Sequence, residues 1–116
     1  MKRNAIIIKS SKNGKKHICI DEENANVILA YINADKRHKK KFNHITDLIL
    51  SDLRNHDLYD KEEPNSKCRG KGVYGMKFFK GQENDRLYCK QFSNSDRQFF
   101  VVTSELFTGK KASKID

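Results

Sequence analysis

Apolar and polar positions alternate most clearly between Lys71 and Phe92, in KGVYGMKFFKGQENDRLYCKQF. Side chains point to opposite faces along a strand, so the pattern predicts two strands joined by a turn at Gly81-Gln82-Glu83-Asn84. Pairing Lys80 with Asp85 sets Lys77 opposite Tyr88, Phe79 opposite Arg86 and Gly75 opposite Lys90. One face then carries Lys77, Phe79, Arg86, Tyr88 and Lys90. The other carries Tyr74, Met76, Phe78, Leu87, Cys89 and Gln91, and is mostly apolar. A one-residue slip would mix the two sets, so burial of the apolar face opposes it.

The remaining segments follow the same logic. Two short apolar runs, Ala5–Ile8 and His17–Ile20, flank Asn13-Gly14, a two-residue hairpin signal. Pairing Lys12 with Lys15 brings Ile8 opposite Cys19 and Ile6 opposite Asp21; the alternative is one strand followed by a loop. Asp21 to Asp35 reads as a helix capped by Asp21, with Val27, Ile28, Tyr31 and Ile32 as its apolar stripe. Asp35 to about Leu58 reads as a longer helix capped by Asp35, with Phe42, Ile45, Leu48, Ile49 and Leu53 facing inward. The stretch from Asp60 to Lys71 holds the only proline and reads as a loop. Ser93-Asn94-Ser95-Asp96 is a further turn, and Gln98 to Phe107 reads as a central strand covered on both sides. The predicted fold is α+β: an N-terminal strand or hairpin (1–21), two helices, then a three-stranded antiparallel meander packed on the helices. It forms one domain over 1–116, ending in a basic tail, 110–116.

Charge changes this picture by suggesting a partner. The chain has 116 residues and a net charge of +9. Residues 1–43 carry 11 basic and 4 acidic side chains, residues 44–66 carry 2 and 6, and residues 67–116 carry 11 and 5. A basic protein with an acidic middle segment suggests a polyanion-binding face and a separate side turned away from it. No apolar run is long enough to span a bilayer, and no signal-peptide core of the usual length is present, so the expected compartment is the cytoplasm.

Candidate chemistry gathers on the central hairpin. Aromatic residues interleaved with Lys and Arg suit RNA, because bases stack and phosphates pair. Any single basic residue here is better read as part of an ordinary solvated strand surface; the cluster is what points to RNA. The basic start of the second helix, with Arg37, Lys39, Lys40 and Lys41, is a second candidate for tracking phosphates. His17, His38, His44 and His56 are candidate acid–base groups by residue type, but they fall in no catalytic motif and are expected at the surface or its boundary. Cys19 and Cys89 sit at apolar strand positions as small core residues. Cys68 lies between Lys67 and Arg69 and reads as an unreactive loop thiol. The cysteine spacing includes no C-x-x-C, so neither a zinc site nor another cofactor is expected.

The order strand–helix–helix–strand–strand–strand resembles the RelE/HigB-like toxins of bacterial toxin–antitoxin modules. GMKFFKGQENDRLYCKQF and VVTSELFTGKK look like the C-terminal half of that superfamily, and the resemblance spans residues 22–111. It implies metal-independent cleavage of mRNA, usually on the ribosome, by attack of a ribose 2′-OH on the adjacent phosphate. It also implies an acidic antitoxin as partner. By position Arg86, Lys77 and Lys110 or Lys111 match basic residues of the family. Tyr88 joins them from the face itself as a phenol donor. The expected catalytic set is therefore Arg86, Lys77, Tyr88 and Lys111. RNA contacts are expected from Lys71, Lys80, Lys90, Lys110, Arg37, Lys39, Lys40 and Lys41. Phe79 stands where some members carry another lysine, and no late tyrosine or histidine of the family's kind precedes Asp116. These departures suit a second reading, a non-catalytic RNA- or nucleoprotein-binding inhibitor such as a phage-encoded anti-CRISPR protein.

Overall fold

The structure is a computed structural model that describes residues 4–53, 55–62, 72–79 and 85–108. Its strands are β1 (Ala5–Ser10), β2 (Lys16–Asp21), β3 (Tyr59–Lys61), β4 (Val73–Phe78), β5 (Asp85–Ser93) and β6 (Phe99–Phe107). Its α-helices are α1 (Ala25–Ile32), entered through a short 3-10 turn at Glu22–Asn24, and α2 (Lys36–Leu50). The fold is α+β, but a six-stranded mixed sheet replaces the expected three-stranded meander. The strand order is β1-β2-β6-β5-β4-β3, with β2 and β6 parallel and the other neighbours antiparallel.

Aspartate caps open the 3-10 turn that leads into α1 and open α2 itself. The Asp21 carboxylate accepts from the Glu23 amide at 3.0 Å, and that of Asp35 accepts from the His38 amide at 2.8 Å. Each satisfies an amide that the first helical turn leaves without a backbone partner. In α1 the buried residues are Ala25, Ile28 and Ile32. Val27 is exposed instead, because it sits one position off that stripe. Helix α2 stops at Leu50, well before Leu58, because Asp52 takes a left-handed φ of 64° and the Leu53 amide turns back to the Leu48 carbonyl. Leu53 is thereby left exposed. The chain turns at Asn55 and enters the sheet at Tyr59, forming a strand of 3 residues in what sequence patterning assigns to helix end and loop. That strand has too few residues to display a period, and the open edge of β4 calls it into place.

The described helices cover one face of the sheet. Ile18, Ile20, Met76, Phe78, Leu87, Cys89 and Val101 from the strands meet Ile28, Ile32, Phe42 and Ile45 from the helices in one core. Burying each large aliphatic or aromatic side chain contributes about 1.5–3 kcal/mol. Strand β6 is central, as expected, but only its Val101 and Thr103 side is buried there; Phe100 and Val102 look out from the other face. Among the described residues no helix is long and apolar enough to cross a membrane.

Two registers differ from expectation. In the N-terminal hairpin the loop spans four residues, 12–15, closed by the Ser11 amide on the Lys16 carbonyl at 2.9 Å. The Asn13 side chain accepts from Ser11 Oγ and from the Lys15 amide, while Gly14 adopts φ 72°. Near the loop the pairing is as predicted, but a bulge at Ile8 moves the rest by one residue. Ile7 rather than Ile8 faces Cys19, and Ile6 faces Ile20 rather than Asp21. Between β4 and β5 the shift is two residues: Lys77 faces Arg86, Gly75 faces Tyr88 and Phe78 faces Asp85. The cause is Phe79, whose φ of 49° takes it out of the strand. A two-residue shift preserves the faces, so the segregation of side chains survives. The turn 81–84 and Lys80 lie outside the described residues.

Candidate nucleic-acid interface

Lys77, Arg86, Tyr88 and Lys90 alternate with Met76, Phe78, Leu87 and Cys89, all of which are fully buried beneath the helices. The four therefore share the opposite face, which the described helices leave open; Lys77, Arg86 and Tyr88 are half-buried on it. Lys77 and Arg86 are direct cross-strand partners, and Tyr88 lies between Gly75 and Glu105. Lys90 lies between Val73 and Val102 and is exposed. Phe79 does not join them. It is buried on the helix side, with the Arg37 guanidinium 3.9 Å from its ring centroid and His38 set edge-on at 5.1 Å.

The face is not purely cationic. Arg86 Nη1 donates to both carboxylate oxygens of Glu62, each at 2.8 Å. Glu62 follows β3, and its amide donates to the Val73 carbonyl at 2.7 Å. Its side chain crosses β4 at Gly75, where a Cβ would stand 2.2 Å from Glu62 Oε2. Only glycine leaves that path clear. Lys77 Nζ donates to the His56 carbonyl at 3.3 Å. Beside it the His56 ring hydrogen-bonds Asp60 at 2.9 Å, and this bond holds the Asp60 carboxyl below its ordinary value. An acidic border of Asp60 and Glu62 thus runs along the cations on the β3 side.

Towards β1 the open face turns apolar. Ile7, Phe92, Phe100 and Val102 line a shallow concavity of about 850 Å³, with Asp21, Glu23, Glu105 and Lys90 at its rim. Phe107 sits across from Arg86 and packs near Tyr88, ring centroids 6.1 Å apart. His17, expected near the surface, is instead buried; it shares a hydrogen bond with Ser10 Oγ and stacks on Phe100 at 4.9 Å.

The basic start of α2 belongs to the other layer. Arg37, Lys39 and Lys40 are exposed and Lys41 is half-buried, but α2 packs on the sheet face opposite Lys77 and Arg86. The two groups of cations do not merge into one surface. Lys71, Lys80, Lys110 and Lys111 lie outside the described residues, as does Cys68. Cys19 and Cys89 are buried thiols, and burial pushes Cys89 up to about 12, so neither is poised as a nucleophile.

A second concavity, of about 460 Å³, opens beside the helix layer between Leu48, Ile49, Tyr59, Tyr74 and Phe99. Tyr59 stacks on Tyr74 at 5.4 Å and accepts from Gln91 Nε2 at 2.7 Å; burial raises its phenol well above the ordinary tyrosine value. Sequence reasoning misses Glu62 and Tyr59 alike. An isolated glycine inside the β4 pattern was the available signal for Glu62, since such a residue often marks a close approach. The chain matches no family model, no curated protein and no solved structure.

Proposed function

We propose that this chain is a RelE/HigB-like toxin acting as a metal-independent endoribonuclease on mRNA. One observation supports the reading above the others: Lys77, Arg86, Tyr88 and Lys90 share the sheet face that the described helices leave open. Two cations at directly paired cross-strand positions suit the extra negative charge of a pentacoordinate phosphate. Tyr88, next along the same face, is the candidate proton-transfer group. Lys90 lengthens the track for the sugar–phosphate chain. Strand β6 ends opposite Arg86, and Lys110 and Lys111 follow Phe107 closely in sequence, which fits Lys111 as the remaining member of the set. The substrate is cytoplasmic mRNA, and an acidic antitoxin is the expected partner.

The test is cleavage of mRNA by purified protein, with and without ribosomes. A 2′,3′-cyclic phosphate end is the expected product, lost in Arg86→Gln while RNA binding persists. If no such product forms under either condition, the chain is not a nuclease.

The Arg86–Glu62 ion pair favours a second reading. An arginine already neutralised by a carboxylate suits binding better than turnover, as in an inhibitor that occupies an RNA-guided nucleoprotein. Retained RNA binding without any cleaved product selects this reading over the first.

A further inference from the structure

We infer that Glu62 is an internal competitor for one RNA phosphate, and that RNA enters the face by displacing it from Arg86. The inference rests on the RNA-binding reading above, and it assigns a specific phosphate site within it. A carboxylate with both oxygens at 2.8 Å from one guanidinium nitrogen makes the contact a phosphate would make through two of its oxygens. Its geometry is built rather than incidental. Gly75 leaves the corridor through which Glu62 crosses β4, and the carboxylate is largely enclosed, its side chain 12% exposed against 34% for Arg86.

The element that leads to Glu62 is the shortest strand of the sheet. Strand β3 is an edge strand of 3 residues, and Glu62 adds a single amide bond to Val73 beyond it. Withdrawing the carboxylate by side-chain rotation breaks the ion pair alone; the Glu62 amide bond to Val73 and the packing of Tyr59 on the core stay in place. A phosphate arriving between Lys77 and Arg86 meets a second cation that Glu62 does not contact, so exchange favours the phosphate at low salt. Glu62 thereby restricts the face to ligands with enough linked phosphates to outcompete it. A single free phosphate lacks the neighbouring contacts at Lys77 and Lys90 and does not open the pair.

The experiment measures binding of a short single-stranded 2′-O-methyl RNA, which lacks the attacking hydroxyl and so separates binding from cleavage. Fluorescence anisotropy across a salt series is run on the full chain and on Glu62→Gln, Glu62→Asp, Arg86→Gln and the Glu62→Gln/Arg86→Gln pair. Glu62→Gln is expected to bind about threefold to tenfold tighter at low salt. Its log–log salt slope stays close to that of the unaltered chain, because the same phosphate reaches Arg86 in both complexes. Glu62→Asp keeps the net charge but falls short of Arg86 by about 1.5 Å, one carbon–carbon bond, and is expected to move the same way. It also carries the test if Glu62→Gln loses the folded circular dichroism spectrum. In the Arg86→Gln background, the tighter binding from Glu62→Gln disappears. Equal or weaker binding by both Glu62 variants, with binding weakened by charge reversal at Lys77 and Lys90, overturns the competitor while leaving the RNA reading intact. Binding indifferent to Lys77 and Lys90 overturns both.

Discussion

The Tyr31 hydroxyl donates to the Asp85 carboxylate at 2.9 Å, joining helix α1 to the first residue of β5. Asp85 is buried, so this bond gives a polar group with little access to water a partner within the protein. Because Asp85 is pinned on the helix side, the next residue, Arg86, must project to the open face. A contact in the core thereby aims the central cation of the proposed site. Tyr31→Phe is expected to cost about 1–3 kcal/mol in urea unfolding, the usual penalty for a buried polar group deprived of a partner. RNA binding at temperatures where the variant remains folded should be unchanged.

Charge reversal separates the two basic surfaces. Lys77→Glu combined with Lys90→Glu should weaken RNA binding and flatten the salt slope by about 0.7 for each phosphate no longer neutralised. Lys39→Glu combined with Lys40→Glu alters the same net charge on the opposite layer. It should leave the slope close to that of the unaltered chain. Equal effects from both pairs would mean that overall charge, not the open face, governs binding.

Phe79 is a packing residue rather than a stacking platform for bases. Its ring meets Phe78, His38 and the Arg37 guanidinium. Phe79→Ala should destabilise the fold by about 3 kcal/mol. Arg37→Ala should cost about 0.5–1 kcal/mol, the scale of an exposed cation–π contact. Thermal unfolding of the two variants measures the difference.

Acid should loosen the two aspartate–histidine pairs. Asp35 is held below its ordinary value of 3.8 chiefly by its hydrogen bond with His38, and Asp60 chiefly by that with His56. A carboxyl with a lowered folded-state pKa contributes stability above its unfolded value and loses it as pH falls through the folded one. The stability difference between the unaltered chain and a variant with both Asp35→Ala and Asp60→Ala should therefore be full at about pH 6. It should shrink once pH drops below about 4. Urea midpoints across that range provide the check.

The buried thiols should be silent. With Cys68 replaced by serine, a maleimide at about pH 8 should label neither Cys19 nor Cys89 until urea exposes them. Labelling of Cys89 in the native state would contradict its place between Leu87 and Thr103 in the core.

Local rules account for much of this molecule. Asp21 starts the 3-10 turn that leads into α1, and Asp35 starts α2, because their carboxylates reach amides only two or three residues away. The division of β4 and β5 into buried and open faces follows from strict alternation, and it survives the two-residue difference in register because two residues is the period of a strand. What depends on contacts distant in sequence was not legible. Strand β3 exists because β4 offers a free edge, and β2 lies beside β6 because the chain returns after both helices. The bulge at Ile8 and the inward turn of Phe79 have no local signature. The Glu62–Arg86 pair joins residues 24 positions apart across a glycine on a third strand. Alternation alone determines which side chains share a face; only the assembled sheet decides which charges on that face neutralise one another, because that depends on distances through space rather than along the chain.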